Sequence, residues 1–288
     1  MPGDAPRAER PGYALVDAGD GRRLERFGPR LVDRPAPVAT ETRRAPEAWA
    51  GADLRFDPDL GWTAPDRTPP EASVLAPWTV SIDGLVLELR PTSSGGVGQY
   101  PEQVGNVAWL ADRVRVGVDA GRPPAVLNLF AHTGLLTLAA ARAGASVAHV
   151  DGAPSAVAWA RRNAELSGLA DRPIRWLVDD ATAFVAREGR RRRRYDGIVL
   201  DPPSYGHAKG RRWRLEDELP NLLAECGAVA TDDAFVLLTA HTTGLDDELA
   251  AMVAAVFAGE GRAEISRLRL EAESRAVLDL GWSVRLTR

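Results

Sequence analysis

The sequence predicts a doubly wound α/β sheet preceded by a smaller β-rich region. From residue 123 onward, short apolar runs alternate with amphipathic stretches of helical period. Alternation of that length demands mostly parallel strands joined by right-handed crossovers. The first four runs each end in a polar turn containing Asp or Gly, as strand-to-helix junctions do. Residues 1–118 have a different texture, rich in Pro and Trp with short strand-like pieces. The expected division is therefore a β-rich region over 1–118 and the α/β domain over 119–288.

"GYALVDAGDGRRLERFG" predicts two short strands around a turn at 17–21. Residues 35–70 are rich in turns, with Trp49, Trp62 and Trp78 expected to anchor them by burying large rings. "WTVSIDGLVLELRP" is a hairpin turning at Asp83-Gly84. A loop over 92–105 leads into a helix over 103–116. The α/β part then begins with a strand over 125–130 and a helix over 134–145. Next come a strand over 146–151 and a helix over 153–169, with Pro154 near its start and Gly168 near its end. A strand over 174–180, a helix over 181–189 and a strand over 195–201 follow. The remainder predicts a helix over 215–230, a strand over 234–241, a helix over 246–259 and a closing strand pair over 264–271 and 281–288.

Bulk composition narrows the classes. With 45% apolar residues the 288-residue chain can bury a large core, and no run approaches the ~20 apolar residues of a membrane span. The N-terminus lacks an apolar signal core, and the single cysteine, Cys226, rules out an intrachain disulfide framework, so a cytoplasmic location is expected. No His/Asp/Glu grouping has metal-ligand spacing. The net charge of −4 argues against a wholly cationic surface. Arginines nevertheless bunch at Arg187, Arg190 through Arg194, Arg211, Arg212 and Arg214, with Lys209, as a local patch for RNA.

Ligands of doubly wound sheets sit at the carboxyl ends of the strands, so those ends carry the chemistry. The first strand ends in Asn128-Leu129-Phe130-Ala131-His132-Thr133-Gly134, a turn whose glycine lets a ligand approach the backbone. The second ends in Asp151-Gly152, 17 residues after Gly134, where a carboxylate can accept both ribose hydroxyls. The single glycine of the first turn does not suit a pyrophosphate, which disfavours a nicotinamide cofactor. The third strand ends in Asp179-Asp180-Ala181, where an acid can accept from an adenine amino group or cap the next helix.

The fourth strand ends in Asp201-Pro202-Pro203-Ser204-Tyr205. Two prolines fix φ and remove donors, so the loop is stiff and presents carbonyls. Asp201 and the Pro202 carbonyl can orient a nitrogen on which positive charge develops. Tyr205 offers a ring for stacking a planar substrate. His241, at the end of the fifth strand, can act as a general base if its pKa is ordinary.

"VLNLFAHTG", "VDGAPSAVAWARRN", "LVDDATAFV" and "YDGIVLDPPSY" fall in the order that resembles the class I S-adenosylmethionine-dependent methyltransferases. The resemblance covers roughly 120–288 and implies a seven-stranded, mostly parallel sheet whose last strand is antiparallel. It implies S-adenosyl-L-methionine as cofactor, S-adenosyl-L-homocysteine as product, and nucleoside contacts from Asp151, Asp180 and Ala181. The spacing N-x-F-x-x-T-G with L-D-P-P-S is similar to the bacterial 23S ribosomal-RNA methyltransferases acting on cytosine C5 or guanine N7. In that group a segment like "GQYPEQVGN", within 95–106, covers the cofactor, which implies contacts from Tyr100 and Gln103.

Two departures matter. Cytosine-C5 enzymes attack through a cysteine after the fifth strand, where this chain reads "LTAHTT", and Cys226 lies instead on the preceding helix. A covalent cysteine intermediate is therefore not expected. Exocyclic-amine methyltransferases carry an aromatic directly after the prolines, where this chain has Ser204. An RNA base and a small metabolite both stay open as acceptors, beside a non-enzymatic role in binding the cofactor.

Overall fold

The computed structural model describes residues 12–208, 211–241, 246–257 and 261–287. The chain divides into two compact units, one of residues up to Pro101 with Arg269–Asp279, the other of Glu102–Leu268 with Leu280 onward.

The first unit contains a five-stranded sheet of β1 (Tyr13–Gly19), β2 (Arg22–Phe27), β3 (Arg30–Pro35), β4 (Leu54–Asp57) and β5 (Gly61–Thr63), paired in that order. The first turn is tighter than the sequence suggests: Asp20 and Gly21 alone make it, both with positive φ, and Asp17 stays in the strand, fully buried. A one-turn helix α1 (Ala72–Leu75) precedes the hairpin of β6 (Trp78–Ile82) and β7 (Leu85–Leu89), which turns at Asp83-Gly84 as expected. Trp49 and Trp78 are buried, and Trp62 is half-buried with its indole N–H on the Thr92 carbonyl at 2.7 Å. The strands β3, β4 and β5 escape sequence analysis because two are short and charged residues interrupt their alternation.

That interruption has a physical purpose. Glu25 is wholly buried on β2, and Arg34 from β3 reaches it at 2.6 Å with 5% of its side chain exposed. Asp17 accepts from the Trp49 indole at 2.8 Å, the Ser274 hydroxyl at 2.6 Å and the backbone N–H groups of Arg44 and Ala45. Buried charge is tolerated where every acceptor position is met.

The second unit begins with α2 (Val104–Asp119), entered through a 3₁₀ turn at Pro101–Gln103. It then alternates β8 (Ala125–Leu129), α3 (Leu135–Ala143), β9 (Ser146–Asp151), α4 (Pro154–Leu166), β10 (Ile174–Val178), α5 (Ala181–Arg190) and β11 (Tyr195–Leu200). A small hairpin of β12 (Tyr205–Ala208) and β13 (Arg211–Arg214) follows, then α6 (Leu215–Val229), β14 (Ala230–Ala240), α7 (Asp246–Phe257), β15 (Arg262–Glu271) and β16 (Val277–Thr287). The sheet order is β10-β9-β8-β11-β14-β16-β15, with β8 to β11 and β14 mutually parallel and β16 antiparallel to β14. This is the seven-stranded sheet expected from the resemblance.

Its core is almost purely apolar. Leu127, Leu129, Val150, Ile198, Leu200, Val236 and Leu238 from the strands meet Phe184, Leu222, Leu223, Cys226, Val253 and Phe257 from the helices. Strands buried on both faces read as continuous apolar runs, which is why the sequence shows them so clearly. The winding reverses between β8 and β11, so the carboxyl ends of those two strands form the switch point where such sheets take ligands. None of the described helices is long and apolar enough to cross a membrane.

Candidate active site

The β8 turn is built against steric preference. Phe130 and His132 carry φ of 56° and 46°, and Gly134 carries 91°. A Cβ on Gly134 would stand 3.0 Å from the Ala160 Cβ of α4, so the glycine serves both conformation and close approach. Three contacts hold this geometry: the Ala131 N–H on the Val150 carbonyl, the Asn163 amide on the Thr133 carbonyl and the His132 N–H on Asp151. Non-glycine residues persist at positive φ only where surroundings over-determine them, commonly at ligand sites.

Asn128 is buried beneath this turn rather than lining it. Its amide donates to the Thr137 hydroxyl at 2.9 Å, which meets His149 Nδ1 at 2.9 Å. Burial, with the charges of His132 and Arg161, pulls the His149 pKa down to about 3, so this histidine is a neutral strut. His132 is also pulled below its ordinary pKa by burial, against the opposing pull of Asp151 and Asp201.

Asp151 receives the N–H of His132 on Oδ2 and that of Ala153 on Oδ1, each at 2.8 Å. A carboxylate has about four acceptor positions, so two remain. Gly152 follows, exposed, and a Cβ there would meet only the Asp179 carbonyl at 3.9 Å. The two acids after β10 divide their work. Asp179 pairs with Arg187, while Asp180 caps α5 by accepting the Ala183 N–H at 2.8 Å, followed by buried Ala181.

Asp201, at the end of β11, is held by three side chains. Its Oδ1 accepts the Thr239 hydroxyl at 2.5 Å and faces His241 Nε2 at 3.2 Å; its Oδ2 accepts the Gln103 amide at 3.0 Å. Burial lowers the His241 pKa, but the hydrogen bond and charge of Asp201, the charge of Glu102 and the Leu280 carbonyl push it up to about 9. The imidazole therefore holds its proton at neutral pH, and the base role expected from an ordinary pKa does not suit this environment.

Beyond Asp201 the loop is tied down. Pro202 is buried, the Ser204 hydroxyl donates to the His241 carbonyl at 2.7 Å, and the Trp213 indole donates to the Pro203 carbonyl at 2.7 Å. Pro203 thus does not present a bare carbonyl. Trp213 also packs on Phe130 at 5.6 Å between ring centroids, linking the two ligand-facing turns. Tyr205 is 68% exposed. The side chains of His207, Arg211 and Arg212 lie outside the described residues, as does Lys209.

Two expectations need correction, those for Gln103 and for the arginine run. The Gln103 amide is fully engaged with Asp201, Thr239 and Asn106, so this side chain steadies Asp201 instead of reaching outward. Tyr100, expected beside the cofactor, lies in the first unit and is 46% exposed. The arginine run is not at the rim: α5 starts at the carboxyl end of β10 and runs back, so Arg190–Arg194 lie where β11 begins, about 20 Å of strand from Asp201. Several of these arginines also have protein partners. Arg187 meets Asp179, Arg191 meets Glu188, Arg194 meets the Ala228 carbonyl, and Arg214 faces Glu216 and Asp217. Among the described residues no group of His, Cys, Asp or Glu could hold a metal ion.

Sheet order, strand-end carboxylates and a glycine turn at the switch point together define a class I S-adenosylmethionine-dependent methyltransferase. Within that class, the chain belongs to the Conserved hypothetical protein 95 family, matched over residues 109–275. It is similar to the SAM-dependent methyltransferase of Agrobacterium tumefaciens, at 33% identity and TM-score 0.87 over 97% of this chain and 91% of that one. It is also similar to the ribosomal RNA large subunit methyltransferase K/L of Alteromonas mediterranea, at 30% identity over 122 residues, 41% of this chain. The same-named protein of Methylococcus capsulatus is 40% identical over 84 residues, 29% of this chain. The chain spans only 17% and 11% of the lengths of these two relatives.

Proposed function

We propose that the protein transfers a methyl group from S-adenosylmethionine to a base of RNA, with ribosomal RNA the first substrate to test. The observation that carries this is the convergence of Gln103, Thr239 and His241 on Asp201 at the switch point, beside the stiff Pro202-Pro203 loop. RNA, as against a small metabolite, rests on the likeness to the ribosomal RNA large subunit methyltransferases.

The residues fit the cofactor. Asp151 has acceptor positions for a ribose diol, Asp180 and Ala181 would meet the adenine, and the Phe130–Gly134 turn would take the amino-acid end. When bound, the cofactor supplies an electrophilic methyl carbon on a sulfonium. Three of the roughly four acceptor positions of Asp201 are occupied by protein donors, leaving one on Oδ2 for a donor on the substrate. Fixed acceptors of this kind stabilise positive charge on an attacking nitrogen without reorganising. Exposed Tyr205 can stack on the base. Cys226 is wholly buried, its thiol pushed up by burial and by Glu225, and so plays no part as nucleophile. A lone unpaired cysteine also suits the reducing cytoplasm.

Incubation with methyl-labelled cofactor, ribosomal RNA and a small-molecule extract tests the assignment. Label in RNA supports it, and label confined to the low-mass fraction makes the acceptor a metabolite. RNA binding should weaken steeply with salt, since neutralising phosphates releases counterions, and a flat salt response would overturn the RNA assignment.

A further inference from the structure

The hydrogen bonds around Asp201 form a chain with a direction. Arg285 on β16 donates to Asn106 Oδ1 from Nη2 at 2.7 Å and from Nε at 3.2 Å, and Ser283 donates to the same oxygen at 3.0 Å. Asn106 Nδ2 donates to Gln103 Oε1 at 2.9 Å. Gln103 Nε2 then donates to Asp201 Oδ2 and to Thr239 Oγ1, both at 3.0 Å. The Thr239 hydroxyl, already accepting, turns its own proton to Asp201 Oδ1. Asn106, Gln103, Thr239 and Ser283 are all buried, at 4% exposure or less.

An amide can face either way, and Asp201 needs its nitrogen. Gln103 and Asn106 cannot settle this between themselves, because reversing both amides keeps the bond between them. Arginine breaks the symmetry: a guanidinium has five donors and no acceptor, so whatever faces it must be an oxygen. Asn106 Oδ1 is thereby assigned to Arg285, its nitrogen to Gln103, and the nitrogen of Gln103 to Asp201.

We propose that Arg285 is a positioning residue for the methyl-transfer site: through Asn106 it sets the polarity of the Gln103 amide, so that donors alone face Asp201. The role in turnover rests on the function proposed for Asp201, but the polarity itself does not. The signal for it in sequence is absent, since Arg285 and Asn106 are 179 residues apart.

Asn106→Asp tests this with little change of shape. The introduced carboxylate keeps a partner for Arg285 but has no proton for Gln103. Whichever way the Gln103 amide then turns, its oxygen faces a carboxylate that cannot donate, so donation to Asp201 is no longer enforced. The chain has only two glutamines, Gln99 and Gln103, so the side-chain amide signals are readily assigned by NMR. In the wild type, Gln103 amide protons should show an NOE to the Thr239 methyl; in Asn106→Asp that NOE should weaken while the fold persists. Turnover should fall at least about tenfold, the scale of one misdirected hydrogen bond to a charged group, with cofactor KM within about threefold. Arg285→Met should lose turnover in the same way, and Arg285→Lys, which keeps a charged donor, should recover most of it. An undiminished NOE in Asn106→Asp, or a rise in KM without loss of kcat, would overturn the proposal. If the wild type methylates no RNA, the functional assignment fails, and the NOE still decides the polarity.

Discussion

Glu25 in the first unit and Asp201 in the second are both carboxylates withdrawn from solvent, and they are held in opposite ways. Glu25 is wholly buried and faces guanidinium groups, Arg34 at 2.6 Å and Arg23 at 3.3 Å, with the Tyr13 hydroxyl at 3.0 Å. Its charged partners are permanently so. Asp201 keeps 23% of its side chain exposed and faces a hydroxyl, an amide and an imidazole. None of these is permanently charged. The contrast separates an acid that completes a fold from one that stays answerable to a ligand: permanent charges lock the buried acid in place, whereas neutral and titratable donors hold the partly exposed one.

The largest effect should come from opening the contrast on the side of chemistry. Asp201→Asn should lower turnover by roughly 10³-fold, by analogy with loss of a preorganised electrostatic contact, while binding of S-adenosylhomocysteine changes little. Isothermal calorimetry beside the methylation assay separates the two, and near-normal turnover would remove Asp201 from the mechanism. On the side of stability, Arg34→Met leaves buried Glu25 with Arg23 as its remaining cation, and should cost about 3–5 kcal/mol in urea unfolding. A cost below about 1 kcal/mol would mean that Arg23 alone satisfies Glu25.

A smaller effect should come from pH. The folded pKa of His241 is raised to about 9 from an ordinary value near 6.5, so its contribution to stability is complete below ~6.5 and is lost as pH rises through about 9. The unfolding free energy should therefore fall across that window by an amount on the order of 3 kcal/mol, and His241→Asn should flatten the profile. The corresponding profile for Arg34→Met should keep the slope, because guanidinium groups do not titrate there. The smallest effect belongs to Cys226→Ala, which should leave turnover unchanged and cost about 1 kcal/mol of packing. Thiol labelling of the folded wild type should be correspondingly slow.

Most of the α/β half is legible from residues alone. Ser146–Asp151 is predicted to the residue, and the helices and other strands of the second unit fall within a few residues, because buried parallel strands and capped helices announce themselves locally. The hairpin of β12 and β13 escapes such a reading: its strands have four residues each and carry no alternation strong enough to see. In the first unit β4 and β5 are hidden for the same reason, and β3 because Asp33 and Arg34 are buried charges in what would otherwise read as a solvent loop. Trp213 has one visible signal, an aromatic after the basic loop, and its bond to Pro203 gives it meaning only in three dimensions.

By itself the sequence determined where the strands stop and which acids stand there: Asp151, Asp180 and Asp201 follow from apolar runs meeting turn chemistry, a local matter. Tertiary structure decided what those acids can do. The partners of Asp201 come from Gln103, Thr239 and His241, well separated along the chain, and hydrogen-bond direction among them descends from Arg285 on the last strand. It also decided that the arginine run lies at the far end of β11, since a helix that leaves one end of a sheet must return the chain to the other. Period and turn preference act over a few residues, whereas polarity and proximity are set by packing across the whole domain.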